Sequence, residues 1–210
     1  LRCISARSCI EHARFVVRVV STLAALVRMP IEHGRNALKG VFGGRAGERV
    51  IVQAVVRSER GVLLSLRSDL MGWELPGGNL LARESEGDAL VREVLEETGL
   101  AVEVTRLVGD YLRTGFFAHR ARVYEARVVG GALAPSAETP VVRWFATDAL
   151  PRELFPWFRG PLADALRGGE PVAREERLGL RAIRAGFAID LGVRLRGGAS
   201  AFAETPPLPR

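Results

Sequence analysis

The spacing of apolar and polar positions changes period several times along the chain. Residues 48–57 carry the β-branched runs Val50-Ile51-Val52 and Val55-Val56, and residues 62–67 read Val-Leu-Leu-Ser-Leu-Arg. Separated by turn residues 58–61, the two predict a hairpin of buried strands. Residues 101–113 and 120–129 predict two further strands joined around 114–119, and residues 141–146 a short one. Between them the period lengthens. Ser85 with Asp88 three positions on makes an N-terminal cap and Gly99 a C-terminal stop, so a helix runs from Glu86 to Thr98. Residues 147–151 and 155–166 predict helical closure.

On the Glu86–Thr98 helix, Val91, Val94, Leu95 and Thr98 share one face at 100° per residue, while Glu93, Glu96 and Glu97 gather roughly opposite. Like charges at this spacing cost about 0.2–0.5 kcal/mol a pair, so the cluster is unfavourable unless a cation sits on it. Mg²⁺, which takes a few carboxylate oxygens together with water and phosphate, fits such a face. Three glutamates by themselves read as a solvated face. The spacing around them points elsewhere: Gly78, five residues, Glu84, seven residues, Arg92-Glu93-Val94, one residue, Glu96-Glu97, one residue, Gly99-Leu100. At all nine of its specified positions this stretch resembles the signature of the Nudix hydrolases. Trp73-Glu74-Leu75-Pro76-Gly77-Gly78 is similar to that family's approach to the box, while Arg83 stands where a Gly commonly precedes the first box Glu. The resemblance covers about residues 48–166.

The resemblance implies an α/β fold, an α/β/α sandwich around a mixed sheet. It also implies hydrolysis of a nucleoside diphosphate linked to another group, with Mg²⁺ or Mn²⁺ as cofactor and water attacking phosphorus. Carried over by position, Glu93, Glu96, Glu97 and the Gly77 carbonyl would hold metal, Glu84 would assist from the edge, and Arg92 would orient a box carboxylate. The general base would be Glu93 or Glu138, the latter on a loop six residues before Trp144. Outside the box, Arg67 could reach a phosphate or form a surface salt bridge, and Phe116 and Phe117 could stack a base or simply pack.

Composition adds bounds. A chain of 210 residues builds one substantial core, and a net charge of +6 suits anionic partners. Cys3 and Cys9 are the only cysteines, which excludes a disulfide scaffold and makes a reducing cytosol the default. Residues 11–29 predict an amphipathic helix whose Arg18 interrupts any membrane span; it would pack on the domain, on a partner or peripherally on a membrane. Met29 could be the biological start. The organisation expected is residues 1–47 as helix and linker, 48–168 as the hydrolase domain, and 169–210 as a basic extension. In that extension Arg174, Arg177, Arg181 and Arg184 fit one helical face, residues 189–195 alternate like a strand, and the tail from Gly197 is expected to be disordered. A small-molecule nucleotide derivative is the expected substrate. An RNA 5′-end pyrophosphohydrolase and a non-catalytic nucleotide sensor are the alternatives, and neither the individual substrate nor the oligomeric state is legible.

Overall fold

A computed structural model of the protein describes residues 49–115 and 117–203. The expected helix at 11–29, its linker, Phe116 and residues 204–210 lie outside the described residues. Among the described residues no helix is long and apolar enough to cross a membrane.

Strand β1 (Val50–Ser58) turns into β2 (Gly61–Leu66), and the short β3 (Trp73–Glu74) and β4 (Gly77–Asn79) lead into helix α1 (Glu86–Thr98). The long hairpin β5 (Leu100–Gly115) and β6 (His119–Gly131) follows, then β7 (Val141–Phe145) and α2 (Pro156–Arg167). Strand β8 (Val172–Leu178) and helices α3 (Leu180–Leu195) and α4 (Ser200–Ala203) complete the described chain. Residues 147–151 form turns and irregular chain in place of the helical start expected there.

One eight-stranded mixed sheet runs β3-β2-β1-β6-β5-β8. β1 lies parallel to β6, and β8 parallel to β5, while β5 and β6 are antiparallel. β1 and β2 pair only beside their turn, at Arg57 with Val62 and Ser58 with Gly61. Beyond it they part: Ile51, Val52 and Gln53 pair with β4, and β2 pairs with β7. The sheet is thereby split along β1 beside Gly77 and Gly78.

Strand alternation divides the core into two layers. Val52, Ala54, Val56 and Leu63 face α1, where Ala89, Leu90 and Val94 complete one cluster. Val55, Leu64, Leu66 and Tyr111 face the other side and pack with Trp73, Phe155, Phe158 and Leu162 against α2. The result is the helix–sheet–helix sandwich expected from the sequence.

The segment after residue 168, expected as an extension, is continuous with this architecture. β8 adds a strand to the sheet, and its Arg174 reaches Asp164 of α2 at 2.8 Å, where Asp164 also accepts the Tyr111 hydroxyl proton at 2.9 Å. The arginines read as one helical stripe therefore divide, Arg174 and Arg177 on β8 and Arg181 and Arg184 on α3, because the chain changes conformation at Gly179. Residues 189–195, read as alternating, continue the helix. Residues 197–203, expected to be disordered, pack: the Phe202 ring meets Trp73 edge-on at 5.4 Å, and Arg143 donates to the Phe202 carbonyl.

α3 is fastened to the loop after β2. Asp190, fully buried, accepts the Met71 amide at 2.9 Å and Arg194 Nε at 2.6 Å, and Arg194 Nη2 donates to the Asp69 carbonyl at 2.7 Å. Removing one partner of a buried ion pair strands the other. Asp190→Ala is expected to lower unfolding stability by about 3 kcal/mol. Urea denaturation compares the two proteins, and a loss below about 1 kcal/mol would show that this fastening contributes little.

Candidate active site

α1 takes the bounds its capping residues predict. Ser85 Oγ accepts the Asp88 amide at 3.1 Å, and Gly99, at φ 75°, returns its N–H to the Leu95 carbonyl. The buried face differs from the expected one: it comprises Ala89, Leu90, Val94, Glu97 and Thr98, and Leu95 is half exposed. Leu90 and Val94 fill the layer under β1 and β2, and this rotation turns Glu97 inward.

Glu97 is consequently buried, its Oε2 accepting the Gly77 amide at 3.1 Å. Burial foremost, then the charges of Glu74 and Glu93, pushes its pKa well up, against the Gly77 hydrogen bond and Arg67. Glu74, equally buried at the end of β3, is also pushed up by burial despite the opposing Arg67 guanidinium. Glu93 rests on Gly78, where a Cβ would lie 2.3–2.4 Å from its carboxylate atoms. A side chain at 78 would push that carboxylate from this position.

Arg92 gathers the rest. Its Nε and Nη2 donate to the two Glu84 oxygens at 2.8 and 2.9 Å, and its Nη1 donates to Glu93 at 2.9 Å and Glu96 at 3.3 Å. Glu84 is thus engaged away from the cleft, which Glu93, Glu96, Glu97 and Gly77 line. That cleft measures about 750 Å³.

Glu138 lines the same cleft from the loop before β7. Thr139, buried, donates to the Glu97 carbonyl at 2.5 Å, and the Ser68 amide donates to the Glu138 carbonyl at 2.9 Å, so the loop is tied to α1 on one side and to the loop after β2 on the other. Arg67 does not hold a spare charge for phosphate: it donates to both Asp69 oxygens at 2.7 and 2.6 Å and to Glu74 at 3.2 Å. The salt bridge is the alternative the structure takes. Phe117 lies at the cleft with the Arg49 guanidinium 4.7 Å over its ring, so one face is covered.

Several lining residues have no assignable role by spacing alone. Glu74 sits in a two-residue strand with no spacing pattern, and Gln53, whose buried Oε1 has no hydrogen-bond partner, is a polar position inside an apolar run. Arg113, almost wholly buried, pairs with Glu176 of β8 at 3.1 Å and donates to the Trp157 carbonyl at 2.6 Å. Burial lowers its pKa, against Glu176.

The donors fit a hard divalent cation. They are all oxygen, two buried carboxylates lie within reach of each other's charge, and the Gly78 cradle holds a third beside them. As the side chains stand, no group of three His, Cys, Asp or Glu among the described residues converges to clasp an ion. Arg92 holds Glu93 and Glu96 instead.

Comparison with known proteins identifies the family. Residues 47–166 match the NUDIX domain family. A MutT-like protein of Streptomyces ambofaciens is 38% identical over 128 residues, 60% of this chain and 81% of that protein. A Bacillus subtilis (strain 168) protein, provisionally named an 8-oxo-dGTP diphosphatase, is 31% identical over 118 residues, 56% of this chain and 79% of its own. Among solved structures, an ADP-ribose pyrophosphatase from Streptococcus suis 89-1591 superposes with a TM-score of 0.51 at 27% identity, covering 61% of this chain and 98% of that one.

His119, buried at the cleft, supplies a test of this geometry. Its Nδ1–H donates to the Phe117 carbonyl at 2.6 Å and its Nε2 faces Arg113 Nη1 at 3.4 Å, an arrangement for a neutral ring. Burial, with the Arg113 and Arg49 charges, lowers its pKa from 6.5 to about 4 despite the Phe117 carbonyl. The unfolded chain therefore takes up a proton before the folded one does. This contribution to stability is complete above about pH 6.5 and is lost as pH falls toward 4. His119→Gln should flatten the fall in Tm between pH 7 and 4.5; parallel curves for the two proteins would assign the acid sensitivity elsewhere.

Proposed function

The chain belongs to the Nudix family of pyrophosphohydrolases, and from that premise we propose that it hydrolyses the diphosphate linkage of a nucleoside diphosphate derivative with Mg²⁺ or Mn²⁺. The observation that carries this reading is the meeting of Glu93, Glu96, Glu97 and Glu138 on one cleft, with Glu97 and Glu74 buried as mutually repelling acids. The relatives' named activities, on 8-oxo-dGTP and on ADP-ribose, share a diphosphate joined to a nucleoside. That shared chemistry supports a nucleoside diphosphate derivative as the substrate class. A cleft of about 750 Å³ accommodates one nucleotide, which favours a small molecule over an RNA chain.

Glu93, Glu96, Glu97 and the Gly77 carbonyl would hold the cation. When bound it supplies neutralisation of the diphosphate oxygens and acidification of water. Arg92 sets the orientation of Glu93 and Glu96 through its two Nη1 contacts, and Glu84 fixes Arg92 in turn. Glu138 takes the proton of the attacking water at its carboxylate, with Glu93 as the rival base. Thr139 and Ser68 hold the Glu138 backbone at the cleft while its exposed carboxylate stays free to turn toward that water.

Glu97→Gln removes a charge from the donor set and is expected to lower hydrolysis by at least about 10², with folding intact by circular dichroism. Near-wild-type turnover at saturating Mg²⁺ would remove this assignment. For Glu138→Gln the expected result is a fall in kcat of about 10² or more together with loss of the acidic limb of the pH–rate profile. An unchanged kcat would hand the proton to Glu93.

A further inference from the structure

The family domain ends at residue 166, yet the cleft does not. Leu178 at the end of β8, and Ala182, Ile183, Gly186 and Phe187 of α3, form part of its lining. These α3 positions recur at i, i+1, i+4 and i+5, so the inward face of the helix faces the cleft in its first half. The same face, continued to Asp190 and Val193, is buried and anchors the helix in its second half.

Gly186 explains how α3 comes so close. A glycine inside a helix costs about 1 kcal/mol relative to alanine. A Cβ at 186, however, would stand 3.0 Å from Trp157 Cη2 and 3.4 Å from Cζ3. The missing side chain lets the helix lie on the indole, which is itself stacked on Phe155 at 4.7 Å and 8°. An aromatic and aliphatic wall results, made of Trp157, Ile183 and Phe187, the last 38% exposed.

The wall stands apart from the carboxylates along the sheet. Gly77, the amide that holds Glu97, lies opposite Gln53 of β1. The other end of the cleft lies at Arg113 and His119, where β6 enters beside Val50 and Arg113 holds the Trp157 carbonyl. Along β1 the registers that mark these two ends, Gln53 and Val50, are three residues apart, about 10 Å of strand. One end of the cleft is thus acidic and suited to a cation-bound diphosphate, and the other is aromatic and suited to a flat apolar ring.

We propose that α3, outside the family domain, is the wall on which the nucleobase of the substrate rests, and that Ile183 and Phe187 are specificity-determining residues. The proposal rests on the hydrolase reading above for what lies at the acidic end. Its own content is the C-terminal wall.

The experiment measures binding and turnover separately in the full chain with Mg²⁺. Wild type, Ile183→Ala and Phe187→Ala are titrated calorimetrically with dGTP, ATP and ADP-ribose, and with 2-deoxyribose 5-triphosphate, which lacks a base. Thermal unfolding is recorded for each protein. The expected result is a Kd about tenfold weaker for the base-bearing ligands in both variants, an unchanged Kd for the base-free one, and unchanged unfolding. Equal weakening of both ligand classes, no weakening of either, or a wild type with no preference for base-bearing ligands would overturn the wall. Ligand that binds with the expected pattern but is not hydrolysed would defeat the hydrolase reading and leave the wall standing.

Discussion

Two buried carboxylates that repel each other set the terms for the rest of the site. Glu97 and Glu74 are nearly enclosed, and each is pushed toward its neutral form by burial. A buried charge of this kind persists only with a compensating partner. Arg67 provides part of that compensation through Glu74, and it is held in place by Asp69. The Gly77 amide provides another part through Glu97. The remainder is the electrostatic case for a divalent cation, since Arg92 serves Glu84, Glu93 and Glu96 and makes no hydrogen bond to either buried acid.

This arrangement extends further along the chain than the family domain does. Asp69 lies in the loop that α3 fastens through Asp190 to the Met71 amide and through Arg194 to the Asp69 carbonyl. A line of contacts therefore runs from the C-terminal helix through Asp69 and Arg67 to Glu74, and from there by charge to Glu97. β8 has a parallel part on the other side of the cleft, where Glu176 offsets the buried Arg113. Residues 172–195 thus support both the acidic and the basic groups of the cleft, and β8 adds an edge strand to the sheet.

How much of this was legible in the sequence depended on the range of the interaction concerned. The bounds of α1 follow from Ser85 and Gly99 because capping is chemistry between side chain and backbone a few residues apart. The β5–β6 hairpin follows for the same local reason. The inward turn of Glu97 did not follow, since the rotation of α1 is set by how Leu90 and Val94 fill the layer under β1 and β2. β8 is not marked by local pattern because its parallel partner β5 lies far back in the chain and its arginines continue smoothly, by helical count, into α3. The pairing of Arg67 with Glu74 was not legible for a similar reason: the contact that fixes the loop between them, Met71 with Asp190, spans 119 residues. Spacing placed the three box glutamates on one helix, whereas the cleft they share with Glu138 depends on the packing of Thr139 against the end of that helix.

The gathered acids of the cleft are proposed to hold a divalent cation. The measurement that tests it most directly is equilibrium binding of Mn²⁺, followed by its electron paramagnetic resonance signal, in the wild-type chain and in Glu97→Gln. Saturable binding to the wild type is expected, with affinity weakened at least about tenfold in the variant and its fold retained, because a neutral amide is a poor ligand for a hard cation. Equal Mn²⁺ affinity in the two proteins, or no binding to the wild type, would contradict it.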